Sequence, residues 1–263
     1  MTHNSPSRFK QQINLPGILG GLGPLAHIEF EQRLLQQSLR RGARRDQEHP
    51  NWLLVSAAST PDRSRYLLET GSDCVPALVR SARLLESMGA SFLVVTCNTA
   101  HAFYLSVQSQ LSIPWLNMMD ATANYIAQHF PQVKRVGVLA TDGTVRARLY
   151  ATSLTQYELS PIIPSLDSPI QRRIMQSIYD PDWGVKASGI WVSDIALTEL
   201  ADAVCWLTNQ GAELVVAGCT EISIALAKQN QLPINWIDPL DIMANLTLDL
   251  AYENHPASCV VLA

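Results

Sequence analysis

Met88-Gly89-Ala90-Ser91-Phe92-Leu93-Val94-Val95-Thr96-Cys97-Asn98-Thr99 is matched further along the chain by Gln210-Gly211-Ala212-Glu213-Leu214-Val215-Val216-Ala217-Gly218-Cys219-Thr220. Each stretch opens on Gly-Ala, continues as an apolar run and closes on a cysteine, with eight positions from Gly89 to Cys97 and eight from Gly211 to Cys219. Upstream, Gly17-Ile18-Leu19-Gly20 resembles Gly137-Val138-Leu139-Ala140; Gly17 lies 80 positions before Cys97 and Gly137 lies 82 before Cys219. Downstream, Ile113-Pro114-Trp115-Leu116 and Asp120 are echoed by Leu232-Pro233-Ile234 and Asp238-Pro239-Leu240-Asp241. Self-similarity at one spacing is the mark of a duplicated unit, here two homologous halves.

The runs Phe92–Thr96, Val136–Ala140 and Leu214–Ala217 are too short for helices and rich in Val and Leu, as strands buried on both faces are. Pro76–Met88 and Asp194–Asn209 carry apolar residues at helical spacing and stop just before Gly89 and Gly211, the residue type that ends helices. Strands alternating with helices predict an α/β chain of two pseudo-twofold-related domains, each a parallel sheet flanked by helices. A length of 263 residues accommodates two domains. Open parallel sheets bind ligands beyond the carboxyl ends of their strands, which is where both cysteines fall. The functional site is therefore expected in the interdomain cleft, with Cys97 and Cys219 on facing walls.

Composition narrows the function classes. Apolar residues make up 47% and charged residues 16%, which supports a packed core rather than disorder. The net charge of -4 argues against a nucleic-acid partner, and the basic run Arg40, Arg41, Arg44 and Arg45 is short and interrupted. It reads as a solvated helix end, an oligomer contact or a substrate-steering patch. No apolar run approaches the ~20 residues of a membrane span, and the opening stretch lacks the apolar core of a signal peptide. Five cysteines, an odd number without a C-x-x-C pair, suit free thiols in a reducing cytoplasm.

Seven short motifs stand in order: Gly-Gly-Leu-Gly-Pro-Leu-Ala at 20–26, Arg-Asp-Gln-Glu-His-Pro at 45–50, Pro-Asp-Arg-Ser at 61–64, Cys-Asn-Thr-Ala-His at 97–101, Leu-Ala-Thr-Asp-Gly-Thr at 139–144, Gly-Val-Lys at 184–186 and Gly-Cys-Thr-Glu at 218–221. Together they resemble the aspartate/glutamate racemase superfamily, and within it the aspartate racemases, over about residues 16–250. Racemisation removes a proton from one face of a tetrahedral carbon and returns one to the other, so two acid/base groups are needed. Cysteine, with a reference pKa of about 8.5, can serve as thiol or thiolate near neutrality.

The resemblance implies a cofactor-independent amino-acid racemase in which Cys97 and Cys219 exchange the roles of base and acid, with no metal. It further implies that Arg63 and Lys186 clamp the side-chain carboxylate of aspartate. The α-carboxylate would rest at the strand-end turns on Asn98, Thr99, Thr141, Thr144 and Thr220, residue types that also cap helices. The glycine-rich loop would bring the backbone at Gly21 and Leu22 against the substrate. Family members return their last helix to the first domain and pair as homodimers. The domains are accordingly drawn as 15–116 plus 236–252 and 117–235, with flexible tails at 1–14 and 253–263.

Other readings weigh less. Gly21-x-Gly23-x-x-Ala26 is a nominal dinucleotide fingerprint, but Pro24 removes an N–H and no acidic residue ends the next predicted strand, Trp52–Ala57. Asp46, Glu48, His49 and His27 lack a recognised metal-ligand spacing. His101 either orients the Cys97 thiolate or packs, and Cys74, Cys205 and Cys259 read as inert. The sequence departs from the family at His27 and Thr96. The stretch Asp180–Trp191 is long, brackets Lys186 between Trp183 and Trp191, and reads as a lid with room for a methylaspartate. The alternatives are a broad-specificity or methylaspartate-type racemase, a maleate-isomerase-like relative, and a non-enzymatic amino-acid-binding regulator.

Overall fold

The computed structural model describes residues 11–252. The strands β1 (Pro16–Gly20), β2 (Leu53–Ser56) and β3 (Phe92–Val95) form a parallel sheet in the order β2-β1-β3. A second parallel sheet contains β4 (Arg135–Ala140), β5 (Ser160–Ile162), β6 (Leu214–Gly218) and β7 (Trp236–Ile237) in the order β5-β4-β6-β7. The two orders correspond strand for strand. A single parallel bridge from Leu93 to Trp115 stands where Val215 pairs with Trp236 in the second sheet. Leu93 and Val215 each lie four residues before their cysteine, so the duplicated sequence is a duplicated sheet.

The proline echo is out of register. Trp115 follows Pro114 directly, whereas Trp236 lies three residues beyond Pro233, and it is the tryptophans that correspond. Main-chain pairing with Val215 and Val216 places Trp236–Ile237, just past the boundary drawn before residue 236, in the second sheet. The helix Pro239–Tyr252 then packs against Pro24–Arg40 of the first half, where Arg33 bonds Asp238 at 2.5 Å and Arg41 bonds Asp249 at 2.7 Å. At the start of the chain, the Ile13 and Asn14 N–H groups both donate to the Ala251 carbonyl. Residues 1–10 and 253–263, which include Cys259 and most of the expected tails, lie outside the described residues.

Strand alternation sorts the core into three apolar clusters. Leu19, Leu93 and Val95 face one way, onto the helix Val75–Ser87. Leu139, Val215 and Ala217 face another, onto Asp194–Asn209 and Pro169–Tyr179. Ile18, Phe92, Val94, Val136, Val138 and Val216 meet in a cluster that draws on both halves, filled out by Met118, Met119 and Met243. Fully burying a side chain of this size contributes about 1.5–3 kcal/mol, so the shared cluster fixes one sheet against the other. Gly89 (φ 94°) and Gly211 (φ 89°) end their helices in the left-handed region, as the sequence reading requires.

Candidate active site

β3 and β6 end at Val95 and Gly218, and the turns that follow carry the two cysteines. Cys97 and Cys219 line one cavity of about 20 Å³ together with Arg63, Lys186, Tyr179 and Glu221. A space of that size holds about one water molecule. Of the other sequence-predicted contacts, Leu22, Asn98, Thr99, Thr141 and Thr220 also line it. Gly21 and Thr144 stand one step behind: the Gly21 N–H donates to His27 Nδ1 at 3.2 Å, and Thr144 bonds the lining threonines. Thr96, a departure from the family pattern, is itself a lining residue.

The first wall is fastened from behind. His101 is fully buried; its Nδ1–H donates to the Cys97 carbonyl at 2.9 Å, and its Nε2 accepts from Trp115 Nε1–H at 3.2 Å. Burial pushes its pKa down to about 4. The ring is thus neutral and orients the main chain of Cys97 rather than its sulfur. Asn98 is fixed across the halves, its Oδ1 accepting from the Tyr150 hydroxyl at 2.5 Å. This turns the amide nitrogen of Asn98 away from Tyr150.

Hydroxyls close the seam between the halves. Thr99 of the first half meets Thr141 at 2.9 Å and Thr144 at 3.0 Å, and Thr141 and Thr144 are 3.1 Å apart. The Thr141 hydroxyl also accepts from the Thr144 N–H, so capping the helix Asp142–Arg146 and lining the cavity are done by one side chain. The approach is close enough that a Cβ on Gly143 would lie 2.8 Å from Ser64 Cα and Thr99 Cγ2.

Arg63 stands at the start of the helix Arg63–Leu67, behind its cap Asp62. Its guanidinium donates to the carbonyls of Leu22, Thr60 and Pro61, leaving a buried Nε–H without a partner among the described residues. Burial works against the charge, but Cys97 and Asp62 outweigh it and hold the pKa above its ordinary value. On the opposite half, Lys186 Nζ donates to Glu221 Oε1 at 2.5 Å and lies 5.4 Å above the Tyr179 ring. The Cys219 thiol donates to Glu221 Oε2 at 3.0 Å. Burial, then the Glu221 charge, pushes the Cys219 thiol well above its ordinary pKa. Glu221 itself is held below the usual carboxylate range because Lys186 and the bonds it accepts outweigh burial. The cavity therefore holds Cys219 as a thiol beside an ionised acid.

The sequence motifs contained Glu221 and Ser64 but attached no role to either, and Tyr179 lies outside them. Tyr179 reaches Asp62 at 3.3 Å across a sequence separation of 117 residues, a pairing that no local pattern signals. Other readings resolve simply. Glu48 accepts from the Arg44 and Arg45 backbone and from the Arg45 side chain, and no group of three or more His, Cys, Asp or Glu among the described residues is arranged to hold a metal. Burial pushes the Cys74 thiol up to about 11, while Cys205 is exposed. No helix among the described residues is long and apolar enough to cross a membrane.

A family model described as Asp/Glu/Hydantoin racemase matches residues 19–247. The chain is 24% identical over 242 residues to the broad specificity amino-acid racemase RacX of Bacillus subtilis, covering 90% of this chain and 99% of that protein. It is 32% identical over 151 residues to a glutamate racemase of Lysinibacillus sphaericus, spanning 56% of this chain and about half (51%) of that protein. Among solved structures, Picrophilus torridus aspartate racemase superposes with a TM-score of 0.76 at 25% identity, covering 95% of this chain and 99% of that one. An aspartate racemase homologue from Pyrococcus horikoshii shares the fold with a TM-score of 0.68 at 22% identity, covering 92% and 100%.

Proposed function

The chain belongs to the Asp/Glu/hydantoin racemase family, and from that premise we propose that it interconverts L- and D-aspartate without a cofactor, using Cys97 and Cys219 as the two acid/base groups. The observation that carries this reading is the lining of one cavity by both sulfurs together with two cations, the buried Arg63 and the partly exposed Lys186. In one direction Cys97, beside the Arg63 guanidinium, removes the α-proton while the Cys219 thiol delivers one from the other face; in the reverse direction the roles exchange. The α-carboxylate rests on Asn98, Thr99, Thr141 and Thr220, and the β-carboxylate on Arg63 and Lys186. Homodimerisation and a cytoplasmic location, where the thiols stay reduced, belong to the same reading.

A broad-specificity racemase is the second reading. It is favoured by the match to RacX along nearly that protein's whole length, and by an Arg63 whose Nη groups are already spent on main-chain carbonyls. The deciding experiment incubates the purified protein with L-aspartate, L-glutamate and L-alanine, with no pyridoxal phosphate added, and follows optical rotation. Aspartate should racemise fastest. Equal rates on alanine would replace the first reading by the second, and inversion of none of them would refute both.

A further inference from the structure

The proposed reading gives both carboxylates of aspartate a partner but leaves its α-ammonium unplaced, and it leaves Glu221 without a task. Glu221 is 6% exposed, lies on the buried helix Thr220–Leu226, and spends both oxygens on side chains: Oε1 on Lys186 and Oε2 on Cys219. A carboxylate kept charged in so dry a place is costly unless an ion is to be met there. Resting on the racemase reading, we infer that Glu221 is the seat of the substrate's α-ammonium, and that Lys186 occupies this seat until the amino acid arrives.

Space, mobility, chemistry, geometry and charge all lead there. The cavity of about 20 Å³ is too small for an amino acid as it stands, so a lining group has to move for one to enter. Lys186 is the member of the pair able to do so: its side chain is 29% exposed against 8% for Glu221, and it sits on the single turn Val185–Ser188 between Gly184 and Gly189. The exchange is like for like, because the lysine head and an α-ammonium are both tetrahedral nitrogens with N–H donors.

The geometry then delivers the reacting carbon. An ammonium nitrogen at about 2.9 Å from the carboxylate carries its α-carbon about 1.5 Å further on. The Cys219 sulfur is already 3.0 Å from the other oxygen of the same carboxylate, so that carbon comes within reach of it. Charge agrees with the geometry. With the ammonium on Glu221, the released Lys186 joins Arg63 on the β-carboxylate, the turn residues hold the α-carboxylate, and Glu221 keeps a cation. A dicarboxylate lacking the amino group can draw Lys186 away only by leaving Glu221 buried and unpaired, which the site resists. The backbone at Gly23 marks how closely the pair is enclosed: a Cβ there would lie 2.9 Å from Glu221 Oε1 and 3.2 Å from Lys186 Nζ.

Calorimetric titration tests the inference by pairing ligands that differ only in the amino group. The wild-type protein should bind aspartate at least about tenfold more tightly than succinate, and Glu221→Gln should bring that ratio close to one. Lys186→Met empties the seat while keeping the Glu221 carboxyl group, which an arriving ammonium then re-pairs, so alanine should gain severalfold over propionate relative to the wild type. The Lys186→Met titration decides alone if Glu221→Gln does not fold. The inference is overturned if Glu221→Gln weakens aspartate and succinate equally, or if Lys186→Met leaves the alanine-to-propionate ratio where it was. Exchange of the aspartate α-proton in heavy water by the wild type keeps the two claims apart. Exchange with unmoved ratios sinks only the role of Glu221, whereas absence of exchange sinks the racemase reading.

Discussion

Lowering the pH from 7 to 5 should weaken the folded protein against unfolding, and His101 sets the size of the effect. Its ring holds the Cys97 carbonyl through Nδ1–H and accepts the Trp115 indole N–H at Nε2, an arrangement that requires the neutral imidazole. In the unfolded chain the ring takes up a proton near pH 6.5, but in the folded protein burial delays this to about 4. Between those values the unfolded chain binds more protons, so the stability held by the neutral ring is complete above pH 6.5 and is lost as the pH falls towards 4. At about 1.4 kcal/mol per pH unit the whole window amounts to about 3 kcal/mol, of which about 2 kcal/mol is gone at pH 5. Urea unfolding of the wild type and of His101→Gln at both pH values isolates this contribution. The wild type's advantage should shrink by about 2 kcal/mol between pH 7 and pH 5. A gap of constant size would refute the assignment of His101 as a buried neutral group.

Gly143→Ala would set a methyl 2.8 Å from the Ser64 backbone, a contact that only separation of the two halves relieves. Racemisation should fall by about tenfold to a hundredfold with the circular dichroism spectrum retained, and full activity would show that the seam does not govern the site. Tyr150→Phe leaves the buried Asn98 carbonyl oxygen without its cross-half donor and should cost about 1–3 kcal/mol of stability, read from urea unfolding. Arg63→Ala should raise KM for aspartate by at least about tenfold while changing that for alanine much less. An unaltered preference between the two would leave the charged clamp without support.

The sheets were legible because burial on both faces enforces a short apolar run, and the duplicated eight-residue spacing fixed which ends carry the cysteines. Phe92–Thr96 and Leu214–Ala217 differ from the observed β3 and β6 by one residue at the carboxyl end, and Asp194–Asn209 is the observed helix residue for residue. β7 was harder to read. At two residues it has no period to detect, and a two-residue difference in spacing moved its tryptophan away from the proline that seemed to mark it. The cavity lining followed the motifs, which is why Arg63, Lys186, Thr99, Thr141 and Thr220 could be picked out by residue type and place. The roles of Glu221 and Tyr179 were not, because each depends on a partner brought from far along the chain: Lys186 for one, Asp62 for the other. His101 shows the same limit, since its place four residues after Cys97 suggested the sulfur, whereas Trp115 fixes the ring on the carbonyl.

The central claim, that two sulfurs serve one carbon from opposite faces, is tested most directly by the fate of the α-proton during the first few per cent of conversion of L-aspartate in heavy water. Newly formed D-aspartate should carry deuterium, recovered L-aspartate should carry none, and Cys97→Ala and Cys219→Ala should each abolish inversion. Protium retained in the D-product, or wild-type inversion by either alanine variant, would contradict the account.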